Sequence, residues 1–204
     1  MMDLTAFLAA SPVIDCDHPA VRRLAADLRH PTTLATVRAA YATVRDRYAH
    51  SYDVGAIEVS VSASDVLHNG HGICFAKAHL LAAVLRACAI PAGLCYQRLA
   101  RDDQEPGTTC LHGLNAVWFG ERWHRLDPRG NRPGTAAPFE PARERFAFAI
   151  DPGRGERDYR EVHAEPLPCV MGALRGSATI AELDRNLPAD VVSTGSCGKT
   201  AAEQ

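Results

Sequence analysis

The strongest apolar periodicity in the chain predicts one deeply buried helix behind a glycine-rich lead-in. Gly70 and Gly72 interrupt the backbone, and an unbroken helical pattern then begins at about Ile73. We expect it to end at about Ala89, because Pro91 disfavours helical geometry in the residue before it. Its apolar positions follow the 3.6-residue period of a helix buried on most of its surface. They are Leu80, Leu81, Val84, Leu85 and Cys88, with alanines at most other positions.

Helical patterns also flank this segment on both sides. His18–Arg29 and Pro31–Tyr48 each carry apolar residues on one face and arginines on the other, which predicts two amphipathic helices. Residues 1–15 predict one short helix that ends near Ser11-Pro12. Two further short helices are predicted at Pro168–Arg175 and Thr179–Leu187.

Between these helical regions the pattern changes to that of strands. Ala92–Arg101 predicts a strand, and Leu111–Phe119 with Arg122–Asp127 predicts a hairpin around Gly120-Glu121. Arg143–Ile150 alternates loosely and is interpreted as another strand. Residues 49–63 show no clear pattern, and residues 128–141, rich in proline and glycine, predict an ordered loop.

Length and composition are those of one globular domain. The chain has 204 residues, with 47% hydrophobic and 23% charged, which suffices for a single core. We expect one domain over residues 1–188, made of a helical N-terminal part (1–60), a core with the candidate reactive residues (62–150) and a C-terminal segment (151–188). Residues 189–204 are small and polar and predict a mobile tail.

Charge and cysteine content narrow the function classes. The net charge is -2, and acidic and basic residues are interspersed along the chain. The sequence therefore shows no basic cluster of the kind that binds nucleic acid or an anionic membrane. No apolar run reaches the roughly 20 residues that span a bilayer, and the N-terminus lacks the basic lead of a secretory signal. Seven cysteines without regular spacing fit a reducing compartment. We therefore expect a cytoplasmic location, and the oligomeric state is left open.

Cys74 is the candidate nucleophile. It falls in the first turn of the buried helix, where free amide groups and the positive end of the helix dipole stabilise a thiolate. The alternative is a small buried packing residue, as Cys88 and Cys95 are expected to be. A glycine-rich lead-in is an expensive way to place a packing residue, so the reactive reading is favoured for Cys74.

The predicted hairpin supplies a base and a residue to orient it. If Gly120-Glu121 is a two-residue type II′ turn, Trp118 pairs with Trp123. The same register makes His112 and Asp127 diagonal neighbours on one face, with Cβ atoms roughly 7 Å apart. A histidine held by a carboxylate can take the proton of a cysteine thiol. Taken singly, His112 could be a core residue and Asp127 the start of a turn.

The motif sequence resembles the bacterial transglutaminase-like family of the papain-like superfamily. The resemblance rests on G-I-C-F-A-K-A-H-L-L from Gly72, on L-H-G-L-N-A-V-W from Leu111 and on R-W-H-R-L-D-P-R-G-N from Arg122. It implies an α+β fold in which the cysteine-bearing helix packs on an antiparallel β-sheet. It also implies the catalytic residues Cys74, His112 and Asp127.

Two departures from the animal transglutaminases concern residues beside the site. Phe75 stands where those enzymes have tryptophan, and Gly113-Leu114 replaces the Ala-Trp that follows their histidine. The chain is also too short for their extra β-domains and calcium sites. Members of the wider fold include proteases, amidases, amide synthases and cyclases, so the resemblance indicates the chemistry better than the substrate.

The expected reaction is acyl transfer through a Cys74 thioester on a peptide, amide or thioester substrate, resolved by water or by an amine. No cofactor and no metal are expected. We expect Ser51–Asn69 and Arg101–Cys110 to form the walls of the substrate site. The alternatives are a non-catalytic binding module on the same fold and a zinc site. The zinc site would use His71, Cys74, Cys110 and His112, although their spacing is not that of structural zinc ligands.

Overall fold

The computed structural model describes residues 3–130 and 137–191. Helices dominate both ends of this part of the chain, and a sheet occupies its middle. A one-turn 3-10 helix lies at Thr5–Phe7 and another at Pro152–Arg154. The α-helices are α1 (Pro19–Asp27), α2 (Thr33–Arg47), α3 (Ala63–Asn69), α4 (Cys74–Ala87), α5 (Pro168–Arg175) and α6 (Ile180–Arg185).

The strands form two sheets within the described residues. In the smaller one, β1 (Ala49–His50) pairs in parallel with β2 (His71–Gly72). The larger antiparallel sheet has the order β5-β4-β3-β6. Its strands are β3 (Ala92–Ala100), β4 (Thr109–Phe119), β5 (Arg122–Leu126) and β6 (Arg157–Asp158). This is the predicted α+β class, and α4 packs against β3 and β4 as expected.

Helix α4 is the centre of the core. Every residue from Cys74 to Arg86 is buried, and the helix contacts α1, α2, α3, β3 and β4. Such all-round burial requires each polar side chain on the helix to find partners inside the protein. Arg86 does so by donating to the backbone carbonyls of Ala9, Ala92 and Ala164. The helix therefore joins the N-terminal segment, the sheet and the segment before α5.

The predicted positions of α1, α2, α4, α5 and α6 are confirmed within a few residues, and capping explains where two of them begin. Thr32 Oγ1 accepts a hydrogen bond from the Ala35 N–H at 3.2 Å and starts α2. Thr179 Oγ1 accepts from the Glu182 N–H at 3.2 Å and starts α6. Each side chain satisfies one of the amide groups that a helix start leaves free.

The hairpin register is also confirmed, but its turn differs from the prediction. Trp118 pairs with Trp123, and their rings meet edge to face with centroids 5.5 Å apart. Gly120 and Glu121 have φ of 56° and 61°, so the turn is type I′ rather than type II′. The register is the same for both turn types because each has two residues, so the faces along the strands are unchanged.

Three segments were predicted wrongly. Helix α3 was missed, although Ser62 and Asp65 form a capping box in which each side chain accepts from the other's backbone. Residues 143–150 form no strand; they run as irregular chain past the sheet. The N-terminal helix is only the single turn Thr5–Phe7. The predicted tail lies mostly outside the described residues, as does much of the loop at 128–141.

Among the described residues, no helix combines the length and apolar character needed to cross a membrane.

Gly113 allows β4 to approach the start of α4. A Cβ at this position would lie 2.7 Å from Cδ1 of Phe75, 3.2 Å from its Cα and 3.3 Å from its backbone nitrogen. Two of these three atoms belong to the backbone of α4 and cannot rotate away. Because Gly113 has no side chain, β4 can lie close to the first turn of α4, which begins with Cys74.

We expect Gly113→Ala to lower the free energy of unfolding by about 1–3 kcal/mol, because the added methyl group must push α4 from the sheet. Gly172→Ala is the matched control. Nothing lies within 4 Å of a Cβ at Gly172 on α5, so that variant should be unchanged or up to about 1 kcal/mol more stable. Urea unfolding of both variants measures the difference. A Gly113→Ala protein as stable as the wild type would contradict this packing argument.

Candidate functional site

Cys74 is the first residue of α4 and sits behind a tightly packed glycine. A Cβ at Gly72 would lie 3.0 Å from both Val66 Cγ2 and Ala76 Cβ, so a larger residue there would have to displace these neighbours at the start of α4. The N-cap residue, Ile73, supplies no side-chain hydrogen bond to the helix start. Amide groups of the first turn are thus left without a side-chain cap beside Cys74, which is buried and 8% exposed.

His112 and Asp127 are in direct contact, as the predicted register requires. His112 Nε2 lies 2.9 Å from Asp127 Oδ2, and both side chains are buried. A ring contact fixes the imidazole from another side, because Phe148 meets it edge to face with centroids 5.1 Å apart. With Nε2 committed to the carboxylate, Nδ1 is the ring nitrogen left to interact with Cys74, which lines the same cavity as His112.

Asp127 is fully buried and held ionised by its neighbours. Burial alone would raise the pKa of its carboxyl group, but His112 and two backbone amides lower it. The Arg129 N–H donates to Oδ1 at 3.0 Å and the Ala147 N–H to Oδ2 at 2.8 Å. Tyr41 holds the backbone of Asp127 by donating its hydroxyl to the carbonyl at 2.8 Å. The carboxylate is therefore a fixed anion that orients His112.

The electrostatics of His112 are those of an imidazolium stabilised by two partners. Burial by itself lowers the pKa of this histidine. The charge of Asp127, together with the electrostatic and hydrogen-bond interactions with Cys74, outweighs burial and raises the pKa to about 10. A buried histidine of this kind favours a proton on the ring when the sulfur beside it is negative.

Lys77, one turn after Cys74, stabilises the surrounding backbone. Its side chain is buried, and Nζ donates to the carbonyls of Arg45 at 3.1 Å, Tyr48 at 2.5 Å and Arg129 at 3.1 Å. These three hydrogen bonds join the end of α2 and the turn after Asp127 to α4.

Cys74 and His112 face a cavity of about 210 Å³. Most of its walls are apolar, and they come from several parts of the chain. The lining residues are His50, Tyr52, Ile73, Cys74, Leu99, Cys110, Leu111, His112, Arg129, Phe148 and Leu187. Tyr52 and Cys110 belong to the segments predicted as walls, whereas Phe148 and Leu187 were not expected. A small apolar chamber around the thiol can hold the acyl part of a substrate away from water.

A larger groove of about 1110 Å³ adjoins this cavity and shares five lining residues with it: Tyr52, Leu99, Cys110, Phe148 and Leu187. Its far wall is built from ion pairs. Arg101 Nη2 lies 2.8 Å from Asp184 Oδ2 and 2.7 Å from Asp103 Oδ2. The Tyr52 hydroxyl donates to Asp184 Oδ1 at 2.9 Å. These contacts tie α6 to the sheet and leave a polar surface beyond the apolar cavity.

The four residues of the zinc alternative do not come together as a ligand set. His71 Nδ1 lies 3.2 Å from the Ser51 hydroxyl, while His112 is engaged by Asp127. Within residues 3–130 and 137–191, no group of three or more His, Cys, Asp or Glu side chains is arranged to hold a metal ion.

Several residues around the site were not found by sequence reasoning. Ala147 acts through its backbone amide, which no residue pattern reveals. Phe148 lies in a segment interpreted as a strand, and Tyr41 was assigned only to the apolar stripe of α2. Arg129 could have been suspected, since it follows Asp127 by two residues; it forms an ion pair with Asp53 at 2.6 Å.

The chain belongs to the transglutaminase-like superfamily. The family profile matches residues 21–128, a span that contains Cys74, His112 and Asp127. A comparison with curated protein sequences found no significant match.

A solved structure shares the fold, and two further ones show a weaker similarity. A candidate cysteine protease from Cytophaga hutchinsonii aligns with a TM-score of 0.52 and 21% identity, over 63% of this chain and 43% of that one. The periplasmic domain of TgpA from Pseudomonas aeruginosa aligns with a TM-score of 0.46 and 24% identity, over 62% of this chain and 48% of that one. The same domain bound to ethylmercury gives 0.45 and 24%, over 60% and 46%. The chain thus spans less than half the length of these structures.

The contact between His112 and Asp127 predicts how stability changes with pH. A folded-state pKa of about 10 lies above the ordinary 6.5, so its stabilisation is complete below pH 6.5 and is lost as the pH rises towards 10. In a Cys74→Ala protein, where Asp127 is the remaining partner that raises this pKa, the free energy of unfolding should fall between pH 7 and 8 by up to about 1.4 kcal/mol per pH unit. Asp127→Asn should remove this slope, because burial then lowers the pKa of the imidazole.

The measurement is urea unfolding at pH 7.0, 7.5 and 8.0 in a Cys74→Ala background, so that no proton passes between the thiol and the imidazole. Lys77, whose pKa burial lowers to about 8 while the charge of Asp127 raises it, has the opposite effect on the slope and responds to Asp127→Asn. The comparison is therefore repeated with His112→Gln, in which the His112 part of the difference is lost and the Lys77 part remains. Equal slopes with and without Asp127→Asn would contradict the assigned electrostatics.

Proposed function

We propose that the protein is a cysteine-dependent acyl-transfer enzyme with Cys74, His112 and Asp127 as its catalytic triad. The observation that carries the proposal is the position of His112. One ring nitrogen is held at 2.9 Å by a fully buried carboxylate, while the imidazole borders the same cavity as the Cys74 thiol at a helix start. This is the geometry that a nucleophile, its base and an orienting group require.

The reaction begins with the transfer of the Cys74 proton to Nδ1 of His112. The thiolate attacks the carbonyl carbon of an amide, ester or thioester, and the oxygen becomes negative. The backbone N–H of Cys74, at the positive end of α4, stabilises this oxyanion. Collapse of the tetrahedral intermediate breaks the bond to the amine, alcohol or thiol, which takes the proton from His112. The acyl group remains on Cys74 as a thioester.

The thioester is then resolved by an incoming nucleophile. His112 removes a proton from water or from an amine, which attacks the thioester carbonyl and releases the thiolate. Water gives hydrolysis, as in a protease or amidase, and an amine gives a new amide. Asp127 stays ionised throughout, because its hydrogen bonds to the Arg129 and Ala147 amides do not involve the substrate. Its role is to hold the ring and stabilise the imidazolium.

The alternative is a binding module that keeps the fold without catalysis. The two proposals differ in the reactivity of Cys74, which a module does not need. A cytoplasmic location and a peptide, amide or thioester substrate stay predictions from the sequence.

Alkylation by iodoacetamide tests the cysteine–histidine pair. We expect Cys74 to react fastest of the thiols at pH 7, and His112→Ala to slow it because the base that takes the thiol proton is lost. Cys169 is the internal comparison, because it is more exposed than Cys74. Site-resolved mass spectrometry gives both rates from one sample. If Cys74 reacts no faster than Cys169, the proposed enzyme is excluded.

Turnover of activated esters such as p-nitrophenyl acetate tests the triad. Cys74→Ala should abolish turnover, and Asp127→Asn should lower kcat by about 10²–10⁴-fold because the imidazole loses its orienting partner. Cys110→Ala is the matched control, since this thiol lines the same cavity and has no part in the mechanism. Wild-type turnover in Cys74→Ala would refute the assignment.

A further inference from the structure

His50 lies beside the segment that leads into Cys74. It is the second residue of β1 and pairs with Gly72 of β2, two residues before the nucleophile. The side chain is 6% exposed and borders the cavity that also contains Cys74 and His112. The parallel pairing therefore holds His50 at a fixed distance from the start of α4.

The His50 ring has an unmatched polar atom. Its Nδ1 is buried without a hydrogen-bond partner in the described part of the chain, and an unpaired buried polar group is unfavourable. Burial, followed by the charge of Arg129, lowers the pKa of this imidazole to about 3, so the ring is neutral at physiological pH. A neutral imidazole carries one N–H. Since an enclosed N–H without a partner is rarer than an enclosed acceptor, the proton belongs on Nε2.

Other polar side chains that border the cavity are already engaged. The Tyr52 hydroxyl donates to Asp184, and the Arg129 guanidinium forms two hydrogen bonds to Asp53, at 2.6 and 3.0 Å. His112 is held by Asp127. Among the polar side chains that line this cavity in the described residues, His50 is the one with a buried ring nitrogen that lacks a protein partner.

We propose that His50 donates a hydrogen bond from Nε2 to the oxyanion formed when Cys74 attacks its substrate. This inference rests on the proposed function, which gave that oxyanion one donor, the backbone N–H of Cys74. An oxyanion is best stabilised by preorganised donors aimed at the developing charge. A neutral histidine suits this role because it polarises a carbonyl without becoming the acid.

Two reagents separate this role from a structural one. In acetylation by p-nitrophenyl acetate, a bond forms between Cys74 Sγ and the carbonyl carbon, p-nitrophenolate leaves, and the thiol proton passes to His112. The intermediate carries an oxyanion. In alkylation by iodoacetamide, the sulfur displaces iodide at a saturated carbon and no oxyanion forms. A donor to the oxyanion therefore affects the first reaction and spares the second.

We expect His50→Leu to slow the acetylation of Cys74 by about 10²–10³-fold, as the loss of one oxyanion donor does. Its alkylation rate should stay within about threefold of the wild type, since the thiolate is unchanged. His50→Gln keeps a neutral N–H donor and should recover about tenfold or more of the lost rate. Circular dichroism checks that each variant is folded.

The outcomes distinguish this inference from the function on which it rests. If the wild-type Cys74 is not acetylated faster than Cys169, both are overturned. If the wild type is acetylated rapidly and His50→Leu matches it, only the role of His50 is overturned. The same conclusion follows if His50→Leu slows the acetylation and the alkylation of Cys74 equally. It also follows if His50→Gln is folded but recovers none of the lost acetylation rate. In either case His50 would act through structure rather than through its N–H.

Discussion

The burial of the Asp127 carboxylate is the constraint on which the site depends. A charge with no access to water must be matched by donors inside the protein. His112 and the backbone amides of Arg129 and Ala147 provide them. Each donor comes from a different stretch of chain: β4, the turn after β5 and the segment that follows the undescribed residues 131–136. Satisfying this one anion therefore assembles one side of the site and raises the pKa of the histidine.

The other side of the site is the start of α4, and two contacts bring it to the sheet. Gly113 lets β4 approach the backbone of Phe75, and Lys77 holds the Arg129 carbonyl beside the helix. The Arg129 carbonyl thus accepts a hydrogen bond from Lys77, and the Arg129 N–H donates one to Asp127. Arg129 therefore links Asp127 to α4, the helix that begins with Cys74, through its own backbone groups and the buried Lys77 side chain.

Sequence reasoning correctly placed the elements that apolar periodicity and strand register determine. The apolar repeat of α4 and the pairing of Trp118 with Trp123 were enough to bring together Cys74, His112 and Asp127. It failed where the structure depends on backbone hydrogen bonds or on contacts between segments that are far apart in the sequence. Residues 143–150 have the sequence pattern of a strand but form none. Within them, the Ala147 N–H donates a hydrogen bond to Asp127. His50 stood in a segment without any pattern, and only its pairing with Gly72 brings it to the cavity. Two residues that depart from the family motif fit each other, because the missing side chain at Gly113 leaves space for Phe75.

The thioester is the central claim, and trapping it is the most direct test. The protein is mixed with p-nitrophenyl acetate, quenched in acid at short times and digested, and the acetyl group is located by mass spectrometry. The account predicts that acetyl appears on Cys74 as fast as p-nitrophenolate is released, decays on addition of an amine, and is absent from His112→Ala. Acetyl spread over lysines and other cysteines, at the rate seen in unfolded protein, would contradict it.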